Sequence, residues 1–170
     1  MKKVSWACAV LLVSAVGAFQ AWGGMVPKRT VLNNGLVLLT SEQRALPMVS
    51  IELLIEAGSR HEPAEQAGLA NLTARLLTQG THKRSAVQIS EALDFMGASL
   101  SASCGEDVAT VSMTILKKDL AAGLDLLAEV LTQASFPQVE IDRQKQAVIA
   151  SIRARQEDPG AVAGTAFAAA

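Results

Sequence analysis

Between residues 26 and 57 the apolar positions form short runs that are typical of β-strands. We predict strands over residues 26–32, 36–41 and 49–57, the first two joined as a hairpin through Asn33-Asn34-Gly35. The Asn34-Gly35 step offers the positive φ values that a tight hairpin turn requires. The run 49–57 is almost continuously apolar, which predicts a central strand covered on at least one face.

Helical spacing replaces this pattern further along the chain. Leucines at positions 69, 72, 76 and 77 share one helical face, and we predict a helix over 69–79 that ends at Gly80. Ser85 is a good N-cap for a second helix, which extends to Gly97.

Alternating positions over 99–104 and 108–116 predict a second β-hairpin, with its turn at 105–107. An amphipathic helix is then predicted over 118–133. Its apolar positions are 120, 124, 127 and 131.

A last helix is predicted over 140–156, and Asp158-Pro159-Gly160 should stop it. Antiparallel hairpins followed by pairs of helices indicate an α+β fold, in which an antiparallel sheet is covered on one face by helices.

The first residues have the layout of a secretory signal peptide. Two lysines precede an apolar segment, 4–19, that is shorter than the roughly 20 residues of a membrane span. Ala21 and Gly23 fit a signal-peptidase site, with Ala18 as an earlier option. We therefore predict that 1–24 is a signal peptide; the alternative is an uncleaved N-terminal anchor.

Net charge and cysteine content bear on two properties, nucleic-acid binding and disulfide formation. The formal charge of −1 falls by two, to −3, once the two lysines of the signal peptide are removed. This balance argues against a nucleic-acid binder, which normally shows a basic face. Removal of the signal peptide also takes Cys8 and leaves Cys104, so an internal disulfide is excluded. We interpret Cys104 as a half-buried strand residue, because no histidine lies at a spacing that would activate it as a nucleophile.

Five strings of the sequence, in order and spacing, resemble the N-terminal domain of the pitrilysin/insulinase metallopeptidases, the inverted-zincin family. They are LNNGLVLL, IEAGSRHEP, AGLANLTARLLTQGT, LDFMGASLSA and RQKQAVIASIRARQEDP. The resemblance covers residues 31–159. It implies the α+β fold of that family, with 25–170 as an incomplete N-terminal domain.

The resemblance also implies which residues form the catalytic site in such a domain. An H-x-x-E-H motif on one helix supplies two histidine ligands for zinc and a glutamate that acts as general base on the zinc-bound water. A glutamate on a later helix completes the site, and another glutamate before it supports the ligand geometry.

Every one of these positions is replaced in this chain. The first histidine position falls on Asn71, the base glutamate on Ala74 and the second histidine on Arg75. The later glutamate ligand falls on Ser151 and its supporting glutamate on Gln144. Asparagine is a weak ligand, alanine cannot accept a proton, and arginine places a permanent positive charge where the cation would bind. The resemblance therefore implies a helix pair without catalytic zinc and without a catalytic residue.

The two histidines of the sequence do not restore the site. His61 precedes the helix and His82 follows it, so they do not share a helical face. We interpret both as exposed loop residues. Glu62 and Glu65 are interpreted as loop and helix-start charges rather than as a second metal site.

Three functions are compatible with the resemblance. The favoured one is a non-catalytic subunit that helps a zinc-bearing paralogue enclose unfolded or short peptides, with zinc only in that partner. The second is a structural subunit of a larger complex, and an active zinc endopeptidase is the least favoured. Asn71 and Arg75 are either surface residues without a role, or Arg75 pairs with a carboxylate of the partner or the substrate.

Two further expectations concern the cellular location of the protein and the length of its chain. The signal peptide is of a bacterial kind, which predicts export to the periplasm and no stable membrane span after cleavage. Family members are usually much longer, so we expect the 170 residues to be a fragment of a larger product. An Arg/Tyr pair that contacts substrate in non-catalytic family members would lie in the missing C-terminal part.

Overall fold

A computed structural model describes residues 27–168 of the chain. The predicted signal peptide, 1–24, and Cys8 lie outside these residues. The chain divides after Leu46 into two compact units. Within 27–168, no helix is both long enough and apolar enough to cross a membrane.

The first unit is the predicted hairpin of β1 (Lys28–Val31) and β2 (Val37–Thr40), which pair antiparallel. Its turn contains Gly35, whose φ is 86°. Asn34 does not have a positive φ; its Oδ1 accepts a hydrogen bond from the N–H of Leu36 at 3.2 Å. The prediction of left-handed backbone at Asn34 is therefore wrong, because the asparagine side chain closes the turn instead.

The second unit contains a three-stranded antiparallel sheet in the order β3-β5-β4. Its strands are β3 (Met48–Ile55), β4 (Ser99–Cys104) and β5 (Ala109–Leu116). The second predicted hairpin, β4 and β5, is confirmed. The prediction that 49–57 is a central strand is wrong for this sheet, because β5 takes the centre. The inward side chains of β5 are fully buried, whereas those of β3 are half-buried.

Five helices complete the described part of the second unit. They are α1 (Leu69–Leu76), α2 (Ala86–Met96), α3 (Leu120–Thr132), α4 (Gln138–Glu157) and α5 (Pro159–Ala168). The first four are confirmed, with α1 shorter than predicted. The bounds of α2 agree best because its ends are encoded locally. Ser85 and Gln88 form a capping box, and Gly97 ends the helix with φ 58°.

Helix α5 is not predicted from the sequence. Asp158-Pro159-Gly160 does end α4, but the same residues also begin α5. Asp158 Oδ1 accepts a hydrogen bond from the N–H of Gly160 at 2.9 Å. Pro159 occupies the first helical position, where its missing N–H leaves no intrahelical bond unmade. A stop signal for one helix is thus a start signal for the next.

The core lies between the sheet and helices α2 and α3. Val111, Met113 and Ile115 of β5 contact Ile89 of α2 and Val130 of α3 in one buried cluster.

Helix α3 is rotated relative to its predicted apolar stripe. Leu124 is 45% exposed, whereas Gly123, Leu126, Leu127 and Val130 are buried. The other face of the sheet carries exposed Ser side chains on β4 and half-buried Ser and Thr side chains on β5. The predicted α+β architecture, with helices on one face of an antiparallel sheet, is confirmed.

Candidate functional site

The loop before α1 is fixed by the turn between β4 and β5. Gly58 N–H donates to the carbonyl of Asp107 at 3.1 Å, and Arg60 N–H donates to the carbonyl of Glu106 at 2.9 Å. A Cβ at residue 58 would lie 2.2 Å from the Glu106 carbonyl oxygen, so only glycine allows this approach. Arg60 adds an ion pair to the Asp107 carboxylate at 2.7 Å. These contacts attach the first residues of the loop to the turn between β4 and β5.

Glu62 caps the start of α1. Its carboxylate accepts hydrogen bonds from the N–H of Gly68, at 2.8 Å, and from the N–H of Ala70. These are two of the unpaired donors of the first helical turn, where a negative charge is also favoured by the helix dipole. The interpretation of Glu62 as a helix-start charge is confirmed.

Helix α1 packs against both β4 and α4. It carries three of the five positions implied by the family resemblance. Asn71 is half-buried, Ala74 is 5% exposed, and Arg75 is exposed. Arg75 Nε donates to Asn71 Oδ1 at 2.9 Å, across one helical turn. The two positions that correspond to histidine ligands are therefore hydrogen-bonded to each other.

Helix α4 carries the other two positions. Ser151 is exposed, and its hydroxyl donates to the carbonyl of Val148 at 2.8 Å, while Gln144 is half-buried. A hydrogen bond of 2.6 Å from Arg143 Nη2 to Gln79 Oε1 links α4 to the segment that follows α1. The structure thus brings together the two helices that the resemblance pairs.

The donor set at these positions does not fit a zinc ion. The oxygen of Asn71 is already engaged by the guanidinium of Arg75, a cationic group. Ala74 has no polar atom, and Ser151 is a neutral hydroxyl turned to its own helix. Among residues 27–168, no three His, Cys, Asp or Glu side chains are grouped as metal ligands. His61 and His82 are both exposed, as predicted.

A cleft of about 910 Å³ lies where the start of α1 faces the middle of α4. Apolar side chains contribute much of its lining, and polar groups surround them. The lining residues are Glu65, Gln66, Ala67, Gly68, Leu69, Asn71, Leu72, Asp142, Lys145, Gln146, Val148 and Ile149. Concave apolar surface with a few polar groups is typical of a binding site.

A second polar cluster, which the sequence analysis missed, lies at α3. Glu129 is 7% exposed and accepts a hydrogen bond from the hydroxyl of Thr81 at 2.6 Å and another from the guanidinium of Arg84. The Thr81 hydroxyl in turn accepts from the N–H groups of Lys83, at 3.1 Å, and Arg84, at 2.9 Å. The bond from Thr81, together with Arg84, holds the pKa of Glu129 below its usual 4.5 in spite of burial.

This cluster attaches the loop between α1 and α2 to α3. The one sequence signal for it was a lone carboxylate on the buried side of α3, between Leu126 and Val130. Its partner Thr81 is 48 residues away, a separation that no local pattern reveals.

Comparison with known proteins decides the family. A family model described as insulinase, peptidase family M16, matches residues 37–169. The chain belongs to peptidase family M16. The resemblance stated from the sequence strings is therefore confirmed.

The relatives of this M16 chain bear the names of proteases. An uncharacterized zinc protease of Mycobacterium tuberculosis is 31% identical over 146 residues, which are 86% of this chain and 33% of the relative. The β-subunit of the mitochondrial-processing peptidase of Bos taurus is 29% identical over 120 residues, which are 71% of this chain and 24% of that subunit. The M16 chain thus spans about a third or less of these relatives.

Two solved structures resemble the M16 chain over most of the length of this chain. A peptidase M16 inactive domain from Pseudomonas fluorescens superposes with a TM-score of 0.77 at 26% identity, over 81% of this chain and 34% of that one. A protease from Helicobacter pylori gives a TM-score of 0.70 at 21% identity, over 79% of this chain and 32% of that one, which supports the fold alone.

Proposed function

We propose that this chain is a non-catalytic M16 subunit that helps a zinc-bearing partner of the same family enclose and bind peptides. The observation that carries the proposal is the Asn71–Arg75 hydrogen bond beside a buried Ala74. Two ligand positions that bond to each other, and a base position without a proton acceptor, supply neither zinc binding nor general-base catalysis. The inactive-domain description of the Pseudomonas fluorescens structure supports this reading.

The edge of the sheet supports peptide binding. Strand β4 pairs with β5 on one side, and within residues 27–168 no strand pairs with its other side. The β4 sequence, SLSASC, has no charge and no proline to discourage a further strand. An extended peptide could add to such an edge through main-chain hydrogen bonds, beside α1, which packs on β4.

The proposal also covers the setting of the protein. The signal-peptide pattern of residues 1–24 supports export, and we place the complex in a bacterial periplasm. Zinc belongs to the partner subunit in this proposal. Substrates are unfolded or short peptides, because a chamber formed by two subunits selects by size. The small negative net charge argues against nucleic acid as a partner.

Co-expression with an H-x-x-E-H paralogue from the same genome tests the proposal. We expect the two proteins to purify together, with one zinc per pair of subunits and peptide hydrolysis that requires the partner. The matched control is a partner whose base glutamate is replaced by glutamine, which should keep the association and lose hydrolysis.

Other outcomes of this experiment would contradict the proposal or favour a different role. Absence of association, together with no effect on the hydrolysis rate of the partner, would contradict a role in the peptidase. Stoichiometric zinc in this chain alone would contradict its non-catalytic character. Stable association with an unrelated complex would favour the role of a structural subunit.

A further inference from the structure

Arg75 has unused hydrogen-bonding capacity. Its Nε donates to Asn71 Oδ1, which leaves the two terminal Nη groups of the guanidinium. The structure gives them no hydrogen-bond acceptor and no carboxylate partner within residues 27–168. The other arginine near α1, Arg143, is by contrast used internally, by Glu140 at 2.6 Å and by Gln79 at 2.6 Å.

The orientation of Arg75 is set from its own helix. Asn71, Arg75 and Gln79 follow one another at intervals of four residues, so they lie along one side of α1 and its extension. Asn71 lines the cleft between α1 and α4, and Gln79 bonds to α4. Arg75 lies between these two points. Its bond to Asn71 therefore places the guanidinium next to a residue that lines the cleft.

The chemistry of the cleft indicates what such an arginine would bind. Leu69, Leu72, Val148 and Ile149 offer apolar contact that suits a peptide chain better than a small inorganic anion. Glu65, Asp142 and Lys145 also line the cleft, so the lining has no excess of positive charge and the binding of a carboxylate would depend on Arg75. A guanidinium with two parallel N–H donors matches a carboxylate.

We propose that Arg75 selects peptides by charge, binding a carboxylate of the peptide that occupies the cleft. The carboxylate is either an Asp or Glu side chain or the C-terminus of the peptide. This inference rests on the proposed function, because it presupposes a subunit that binds peptides. It assigns Arg75 to peptide specificity and Asn71 to the positioning of Arg75.

The test measures peptide affinity in the complete complex. The complex is formed with a partner whose base glutamate is replaced by glutamine, so that bound peptides are not hydrolysed. Fluorescence anisotropy gives the Kd of labelled peptides in three matched versions: one with Glu residues and a free C-terminus, one with Gln in place of Glu, and one with an amidated C-terminus. We expect the peptide that retains the recognised carboxylate to bind about three to ten times more tightly than its neutral counterpart.

Single-residue variants test whether Arg75 causes the preference for peptides that carry the carboxylate. Arg75→Gln should remove it, and Arg75→Lys should retain a part, because lysine keeps the charge but not the paired donors. Asn71→Asp should also remove it, since the new carboxylate would pair with Arg75 across one helical turn. The matched control is Arg153→Gln, which makes the same charge change at an exposed arginine of α4 without an ion pair in the described residues.

The outcomes separate this inference from the proposed function. Equal binding of all three peptides to the unmodified complex overturns the inference and leaves the proposed function standing. A preference that persists in Arg75→Gln, or that disappears equally in Arg153→Gln, also overturns it. If no peptide binds, whatever its charge, both are overturned. The Glu-to-Gln and amidated peptides distinguish a side-chain carboxylate from a C-terminal one.

Discussion

Two arginines of this chain each donate to an oxygen acceptor, in opposite surroundings. Arg84 pairs with Glu129, whose side chain is 7% exposed and also receives the hydroxyl of Thr81. Arg75 donates to Asn71, a neutral amide on the same helix, and remains exposed. The first acceptor is charged and remote in sequence, and the second is uncharged and one turn away.

Burial of the acceptor and its distance along the chain explain why the two arginines have different roles. The Arg84 cluster attaches a loop to α3, so its hydrogen bonds form only when the chain is folded. The Asn71–Arg75 bond joins neighbours on a helix that tertiary packing already holds. Local pairs of this kind contribute only about 0.2 to 0.5 kcal/mol. One arginine therefore stabilises the fold, whereas the other has terminal groups left for a ligand.

The largest effect is expected at Glu129. Glu129→Ala removes a buried acceptor and leaves the Thr81 hydroxyl and the Arg84 guanidinium without their partner. We expect the free energy of unfolding to fall by about 2 to 3 kcal/mol, measured by urea denaturation. Glu91→Ala, at an exposed position of α2, is the control and should change it by less than about 0.5 kcal/mol. Equal effects of the two variants would refute a stabilising role for the cluster.

A smaller loss is expected at Thr81. Thr81→Val keeps the shape of the side chain but removes the hydroxyl that bonds to Glu129 and to two backbone N–H groups. The expected loss is about 1 to 2 kcal/mol by the same denaturation measurement. Thr81→Ser retains the hydroxyl and should recover most of it. A serine variant as unstable as the valine variant would show that the hydroxyl is unimportant.

Acid should weaken the same cluster. The Thr81 hydrogen bond and Arg84 lower the pKa of Glu129 in the folded protein. The stabilisation is therefore complete above the ordinary value of 4.5 and is lost as pH falls from there through the lowered pKa. The loss should be smaller than in Glu129→Ala, because a protonated carboxyl keeps its volume and can still form a hydrogen bond.

Unfolding midpoints measured from pH 6 down to pH 3 check this dependence (about 3 pH units, a range that brackets the carboxyl pKa values of proteins). Glu129→Gln cannot titrate at this position and should decline less steeply below 4.5 than the unmodified chain. Parallel curves for the two proteins would show that Glu129 does not contribute.

The smallest effect on stability is expected at the exposed pair. Asn71→Ala and Arg75→Ala should each change the free energy of unfolding by less than about 0.5 kcal/mol, with a coupling of roughly 0.3 kcal/mol in a double-mutant cycle. A coupling several times larger would mean that the pair stabilises the fold. Arg84→Gln should show the opposite profile to Arg75→Gln, with lower stability and unchanged peptide preference.

Local signals in the sequence predicted most of the fold. The N-cap Ser85 and the glycine at Gly97 placed α2 within a residue, because all the groups involved are neighbours along the chain. The rotation of α3 and the edge position of β3 were missed, since an apolar run does not say which neighbour will cover it. Helix α5 was missed because Asp158-Pro159-Gly160 is equally compatible with an end and a beginning.

The candidate site also has parts that the sequence predicted and parts that it did not. The positions Asn71, Ala74 and Arg75 followed from the resemblance, and the structure adds the bond between two of them. The cluster around Glu129 was not foreseen, because its partners come from a loop far away in sequence. The cleft between α1 and α4 depends on how the two helices pack, which periodicity does not specify.

The burial of Ala74 limits which side chains this position accepts. Its side chain is 5% exposed, so Ala74→Glu alone would place a carboxylate in packed surroundings with no metal beside it. Histidine at residue 75, in turn, would sacrifice the present bond to Asn71 before any zinc could bind. Restoring the base glutamate alone is therefore unfavourable, whereas the bond lost at residue 75 is worth only about 0.2 to 0.5 kcal/mol. Because Ala74 is buried, a glutamate at this position is favourable only together with the changes that would bring a metal beside it.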